Sequence, residues 1–123
     1  MEQQTKKTVV LGASPNPARF SFKAVKSLLL HGYEAVAVGF RPGVIYEIFI
    51  QRGTPAIEDV HTIALYIGPQ RQEEFHDYIL SLHPTRVIFN PGTVNELFMR
   101  ELEDKGIEVV EGCTLVMLDS GEF

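Results

Sequence analysis

The chain has no tryptophan, a single cysteine and only 11 basic residues among 123, and each shortage excludes something. Cys113 has no second cysteine to pair with, so no internal disulfide supports the fold. With no signal-peptide pattern at the start of the sequence, the expected compartment is a reducing cytoplasm. Eleven lysines and arginines against 16 acids give a formal charge of −5. That leaves no basic face for a nucleic acid. No uncharged apolar run approaches the ~18 residues of a membrane span, so no membrane partner is expected either. His31, His61, His76 and His83 are scattered without metal-ligand spacing, and no metal site is expected. Internal repeats, low-complexity stretches and interior linkers are also lacking. Residues 1–123 therefore read as one domain, long enough to bury roughly two thirds of its unfolded surface.

What the sequence does have is an apolar β-like run, Val9-Val10-Leu11, that stops at Gly12. Ala13, Ser14, a turn with prolines at 15 and 17 around Asn16, and Arg19 follow, and an amphipathic stretch begins at Ser21. A strand ending in a small-residue loop that feeds a helix is how α/β proteins build a phosphate site. The loop turns tightly, and the helix start offers unpaired N–H groups and a partial positive charge. Gly12 suits such a turn because a Cβ there would oppose positive φ or close approach. On its own, the same glycine is equally compatible with an ordinary turn.

Residues 1–7 read as a polar leader. Strands are expected at 8–11, 35–40, 45–50, 62–67, 86–89 and 107–110. Helices are expected from Ser21 as N-cap to His31, over 70–82, and from Thr93 to the stop at Gly106. Thr93 and Glu96 form a capping-box pattern, and Leu97, Phe98 and Leu102 are expected to point inward. Residues 113–118 fit either a strand or a short helix. This alternation predicts an α/β fold with a doubly wound parallel sheet and strand order 3-2-1-4-5-6. Ligands of such sheets bind beyond the strand C-termini, where the order reverses. The loops 12–19, 39–42, 68–69 and 90–93 meet there.

The glycine pattern of a dinucleotide fingerprint would fall on Gly12, Ser14 and Pro17, so two of its three glycines are missing. No Gly-Lys-Ser/Thr makes a P-loop. At the end of the second strand, where an acid would hold a ribose hydroxyl, stand Phe40, Arg41 and Pro42. An arginine there suits an adenosine ribose bearing an extra phosphate, as in NADP or coenzyme A. Hydride transfer would require a further lobe for a second substrate, and one sheet consumes this chain. An NADP-binding reductase or reductase fragment, and a ligand-free interaction module, remain the alternatives. Arg19 and Arg41 also fit solvated surface charges, Thr93 fits a helix cap, and Cys113 in its apolar run fits an inert core residue.

Gly12-Ala13-Ser14, Asn16-Pro17, Arg19 and Ser21 resemble the loop of the small stand-alone CoA-binding proteins. These are related to the CoA-binding domain of the succinyl-CoA synthetase alpha subunit. The resemblance continues through Arg41-Pro42, the segment 86–96, Gly106 to Val110 and Cys113 to Val116. It departs at Ala37-Val38-Gly39-Phe40, where many members read Pro-Val-Asn-Pro. It implies a Rossmann-like fold that binds coenzyme A or an acyl-CoA. Gly12, Ala13, Ser14 and Arg19 would face the pyrophosphate and Arg41 the phosphorylated ribose, with Asn16, Phe40 and Pro42 also in the cofactor-binding set. Gly68, Asn90, Pro91 and Gly92 would line the remainder. The resemblance describes binding and names no reaction, so a non-catalytic sensor or accessory module is expected.

Overall fold

The computed structural model describes residues 4–123. Seven strands form one sheet: β1 (Gln4–Leu11), β2 (Tyr33–Val38), β3 (Val44–Ile45), β4 (Ile48–Gln51), β5 (Thr62–Leu65), β6 (Arg86–Phe89) and β7 (Glu108–Glu111). Their order is β3-β4-β2-β1-β5-β6-β7, parallel throughout except for the antiparallel β3–β4 pair at one edge. The helices are α1 (Phe20–Leu30), α2 (Pro69–Gln72), α3 (His76–Ser81), α4 (Glu96–Asp104) and α5 (Thr114–Ser120).

The central strands are buried on both faces, and the period-two alternation divides them between two cores. Val9, Leu11, Ile63, Leu65, Val87 and Phe89 pack with Tyr78 and Ile79 of α3 and Phe98 and Leu102 of α4. Val10, Ala37, Ala64 and Ile88 point the other way, onto Val25 and Leu28 of α1 and Leu118 of α5. This is the doubly wound Rossmann-like architecture that the strand–helix alternation predicts.

Four local expectations are corrected. The stretch 45–50 is a hairpin, because Tyr46 takes a left-handed φ of 55° and turns β3 back along β4; this adds a strand to the expected order. The helix expected over 70–82 is broken into α2, a 3₁₀ turn (Glu73–Phe75) and α3. The third helix starts at Glu96, capped by the Asn95 carboxamide accepting from Phe98 N–H at 3.1 Å. Thr93 lies outside that helix; Phe98 and Leu102 are buried as expected, whereas Leu97 is 79% exposed. Finally, α1 begins at Phe20 with Arg19 at the cap, and Ser21 is buried inside the first turn. Of the expected leader, residues 4–7 join β1; residues 1–3 lie outside the described residues.

Candidate functional site

Order reverses between β1 and β5, the strands reached by crossovers of opposite direction. The loop leaving β1 crosses the end of β2. Gly12 N–H and Ala13 N–H both donate to the Val38 carbonyl, at 2.8 and 3.0 Å. Gly12 adopts φ +97°, and a Cβ there would stand 3.0 Å from the Tyr66 backbone and from Ile67 Cγ1. Gly39 makes the matching approach from β2, since its Cβ would run into the Ala13 carbonyl. Two glycines thus let three chain segments meet where side chains would hold them apart.

Beyond Ala13 the loop is held by its own polar groups. Ser14 Oγ accepts from Asn16 N–H at 3.1 Å, and Asn16 Oδ1 from Ala18 N–H at 3.0 Å. Arg19 N–H donates to the Asn16 carbonyl at 3.0 Å. The N–H groups of Ser14, Phe20 and Ser21 have no partner among the described residues, and the last two open helix α1.

These groups border a cleft of about 530 Å³ lined by the 12–16 loop, Arg19, Phe20, Ser21, Phe40, Arg41, Tyr66, Arg71 and Pro91. A second cavity of about 300 Å³ lies behind Phe40, bounded by Gly39, Arg52, Gly53, Glu74 and Phe75. The partition is the Phe40 ring, with the Arg71 guanidinium 4.0 Å from its centroid on one side and Phe75 edge-on at 5.5 Å. Four of the chain's six arginines therefore surround one end of the sheet. Among the described residues none of the four has a carboxylate within ion-pair distance; the ion pair Lys7–Glu34 (3.7 Å) lies at the opposite end. In a chain of charge −5, this local excess of unpaired guanidinium favours an anion.

Tyr66 follows β5 and lines the cleft, while its hydroxyl is buried without a hydrogen-bond partner. Burial pushes the phenol up to about 12, so it remains a donor at physiological pH.

Of the residues singled out from sequence, Gly12, Ala13, Ser14, Asn16, Arg19, Phe40, Arg41 and Pro91 line the cleft. Pro42, Gly68, Asn90 and Gly92 do not. Asn90 is fully buried, its Nδ2 donating to the Leu65 carbonyl at 3.1 Å and its Oδ1 accepting from Thr114 N–H at 2.8 Å. It ties β5 and α5 to the end of β6. Thr93 is not the helix cap that its spacing to Glu96 suggests. Its hydroxyl donates to the Asn90 carbonyl at 2.7 Å and closes the 90–93 turn. Gly68 and the Gly92 carbonyl are close neighbours, so these two loops brace one another.

The residues that sequence reasoning missed are Tyr66, Arg71, Arg52 and Gln72. Gln72 is fully buried, and its Nε2 donates to the carbonyls of Ile67 (3.0 Å) and Thr93 (2.8 Å). Its Oε1 faces His76 Nε2 at 3.2 Å, and the His76 ring stacks on Phe98 at 3.6 Å. One side chain thereby pins both loops beyond β5 and β6. A kink immediately after Gln72, where α2 gives way to the 3₁₀ turn, accompanies this placement.

The fold and this end of the sheet define a Rossmann-like protein with an arginine-bordered strand–loop–helix corner. The family described as "CoA binding domain" matches residues 6–119, and the chain belongs to that family. A crystal structure of an uncharacterized protein is 48% identical, superposes with a TM-score of 0.95, and covers 98% of this chain and 100% of its own. A Thermus thermophilus structure is 22% identical with a TM-score of 0.80, covering 96% of this chain and 90% of its own. A conserved hypothetical protein from Pyrococcus furiosus is 25% identical with a TM-score of 0.78, covering 93% and 98%. Among curated proteins none matches the chain. No helix among the described residues is long and apolar enough to cross a membrane.

Proposed function

We propose that the arginine-bordered cleft binds coenzyme A, or an acyl-CoA, as a non-catalytic sensor or accessory module. The observation that carries this reading is the set of four guanidinium groups, without acidic partners among the described residues, around a strand–loop–helix corner. Family membership supplies the ligand class. The pyrophosphate takes the N–H groups of Ser14, Phe20 and Ser21 and the Arg19 side chain. Gly12 and Ala13 give shape and not donors, because Val38 already occupies their N–H groups. The adenosine end lies against Phe40, with Arg41 on the ribose phosphate and Arg52 and Arg71 adding positive potential. The pantetheine arm leaves over Tyr66 towards Pro91.

An NADP 2′-phosphate would suit Arg41 as well as a CoA 3′-phosphate does, so the test separates them. Calorimetric titration is expected to give one CoA site per chain, and NADPH fluorescence is expected not to change on adding protein. NADPH quenching or a blue or red shift with no heat from CoA would reverse the reading. Absence of any response to CoA, NADP, NAD and ATP would favour a ligand-free interaction module.

A further inference from the structure

The cavity behind Phe40 has a make-up that phosphate binding does not require. Leu11, Val38 and Ile67 give it an apolar floor, and Phe40 and Phe75 supply two aromatic walls. Gly12, Phe40 and Arg71 border this cavity and the larger cleft alike, so the two spaces are immediate neighbours. Phe40 keeps 41% of its surface exposed, apolar area that an occupant would cover. At the rim stand Arg52 and Arg71, whose guanidinium groups only donate hydrogen bonds, and Glu74, whose carboxylate accepts them.

Glu74 is the informative member. Glu74 and Phe75 follow Arg71 by three and four residues, the spacing that puts side chains on one helical face. All three border the cavity across the change from α2 to the 3₁₀ turn. An arginine and a glutamate three residues apart ordinarily attract one another. Here the Arg71 guanidinium lies 4.0 Å from the Phe40 ring centroid instead, and among the described residues no cation is within ion-pair distance of Glu74. An unpaired carboxylate beside an anion cleft opposes phosphate, so its place there makes sense only towards a hydrogen-bond donor. A purine base is flat, stacks on aromatic and guanidinium planes, and can carry an exocyclic amino group that donates.

We propose that Glu74 determines the base specificity of the site, by accepting from the exocyclic amino group of an adenine ring held against the aromatic walls of this cavity; this rests on the CoA reading above. Adenine offers ring-nitrogen acceptors and one amino donor. The two arginines suit the acceptors, and Glu74 suits the donor. A base with a keto oxygen in place of that amino group turns an acceptor towards the carboxylate and is rejected. The ligand is then chosen twice, at Arg41 by the phosphate on its ribose and at Glu74 by its base.

The experiment is calorimetric titration with CoA and with deamino-CoA, in which a keto oxygen replaces the adenine amino group at nearly the same size. CoA is expected to bind at least about tenfold more tightly, because a site that accepts from a ligand N–H discriminates against the analogue lacking it. Glu74 is exposed on its 3₁₀ turn, so Glu74→Ala is expected to fold like the parent. In that variant the preference is expected to narrow to less than about threefold, through weaker binding of CoA. Equal affinity of the unsubstituted protein for the two ligands would overturn the role of Glu74 and leave CoA binding standing. So would a Glu74→Ala protein that keeps the full preference, or one that binds both ligands more tightly by the same factor, the mark of charge repulsion alone. Absence of heat from either ligand with the folded, unsubstituted chain would instead overturn the CoA reading.

Discussion

Replacing Gly39 with alanine tests whether the loop after β1 owes its ligand-binding shape to the crossing of two backbones. An added Cβ at Gly39 meets the Ala13 carbonyl oxygen, which is backbone and has no rotamer to escape into. Relief requires the 12–14 segment to shift by roughly 1 Å, away from β2 and from the Val38 carbonyl that anchors it. Overpacking of this kind costs about 1–3 kcal/mol of stability. For a chain of this length each kcal/mol lowers Tm by roughly 3–6 °C. The effect on binding is separate. In the proposed binding mode Ser14 N–H is displaced from the phosphate, and one charge-assisted hydrogen bond is worth about 1.5–3 kcal/mol. That is a loss of roughly 10- to 150-fold in CoA affinity. Gly106→Ala is the matched control. Gly106 has φ +80° with open space around it and ends α4 far from the cleft. A left-handed alanine there costs about 1–2 kcal/mol and leaves CoA affinity unchanged. Thermal unfolding and calorimetry on the two variants separate stability from binding. A Gly39→Ala protein that binds CoA like the parent would refute the reasoning.

Other consequences follow from the same geometry. Gln72→Leu removes the donor from two buried carbonyls and leaves His76 without its partner; urea unfolding is expected to reveal a loss of about 2–4 kcal/mol, and a change below half a kcal/mol would mean that water replaces the amide at no cost. Arg41→Glu puts a like charge at the proposed ribose-phosphate contact and is expected to weaken CoA by about 1.5–3 kcal/mol while leaving Tm within a degree or two of the parent. Burial holds His76 below the usual histidine range, against the raising influence of Glu101, Glu73 and Asp77. The unfolded chain therefore takes up this proton first, and stability declines as pH falls through about 6.5. His61 behaves in the same direction, from burial and the nearby Arg86 and Lys6. Tm measured across this range should fall on acidification, and less steeply in His76→Gln; an identical slope in the variant would remove His76 from the account.

The sheet was legible because β-branched and small apolar runs alternate with helical periodicity, and that pattern survives local error. The tight turn at Gly12 was legible because a glycine ending an apolar run marks a positive-φ position, which the structure has at φ +97°. The hairpin was hidden because it turns at Tyr46-Glu47, residues that carry none of the usual turn chemistry. The left-handed Tyr46 joins Ile45, which is buried in the core, to the returning strand that buries Ile50. Of the three residues expected to point inward from α4, Phe98 and Leu102 do and Leu97, next to Phe98 and about 100° round the helix, does not. Arg71 and Arg52 reach the site only through tertiary placement, one on a four-residue helix and one at the end of an edge hairpin strand. Neither position marks itself in a linear reading. The capture of the Gly12 and Ala13 amides by Val38 is likewise a long-range bond. It leaves the N–H groups of Ser14 and of the opening turn of α1 as the free donors in the proposed site.

The central claim is that the arginines beyond β2 read the phosphate on the ribose of a CoA nucleotide. Calorimetric titration of the unmodified protein with CoA and with 3′-dephospho-CoA, side by side at one salt concentration, tests it most directly. The account predicts that loss of that phosphate weakens binding by at least tenfold, and that Arg41→Glu abolishes most of the difference. Equal affinity for the two ligands would contradict it.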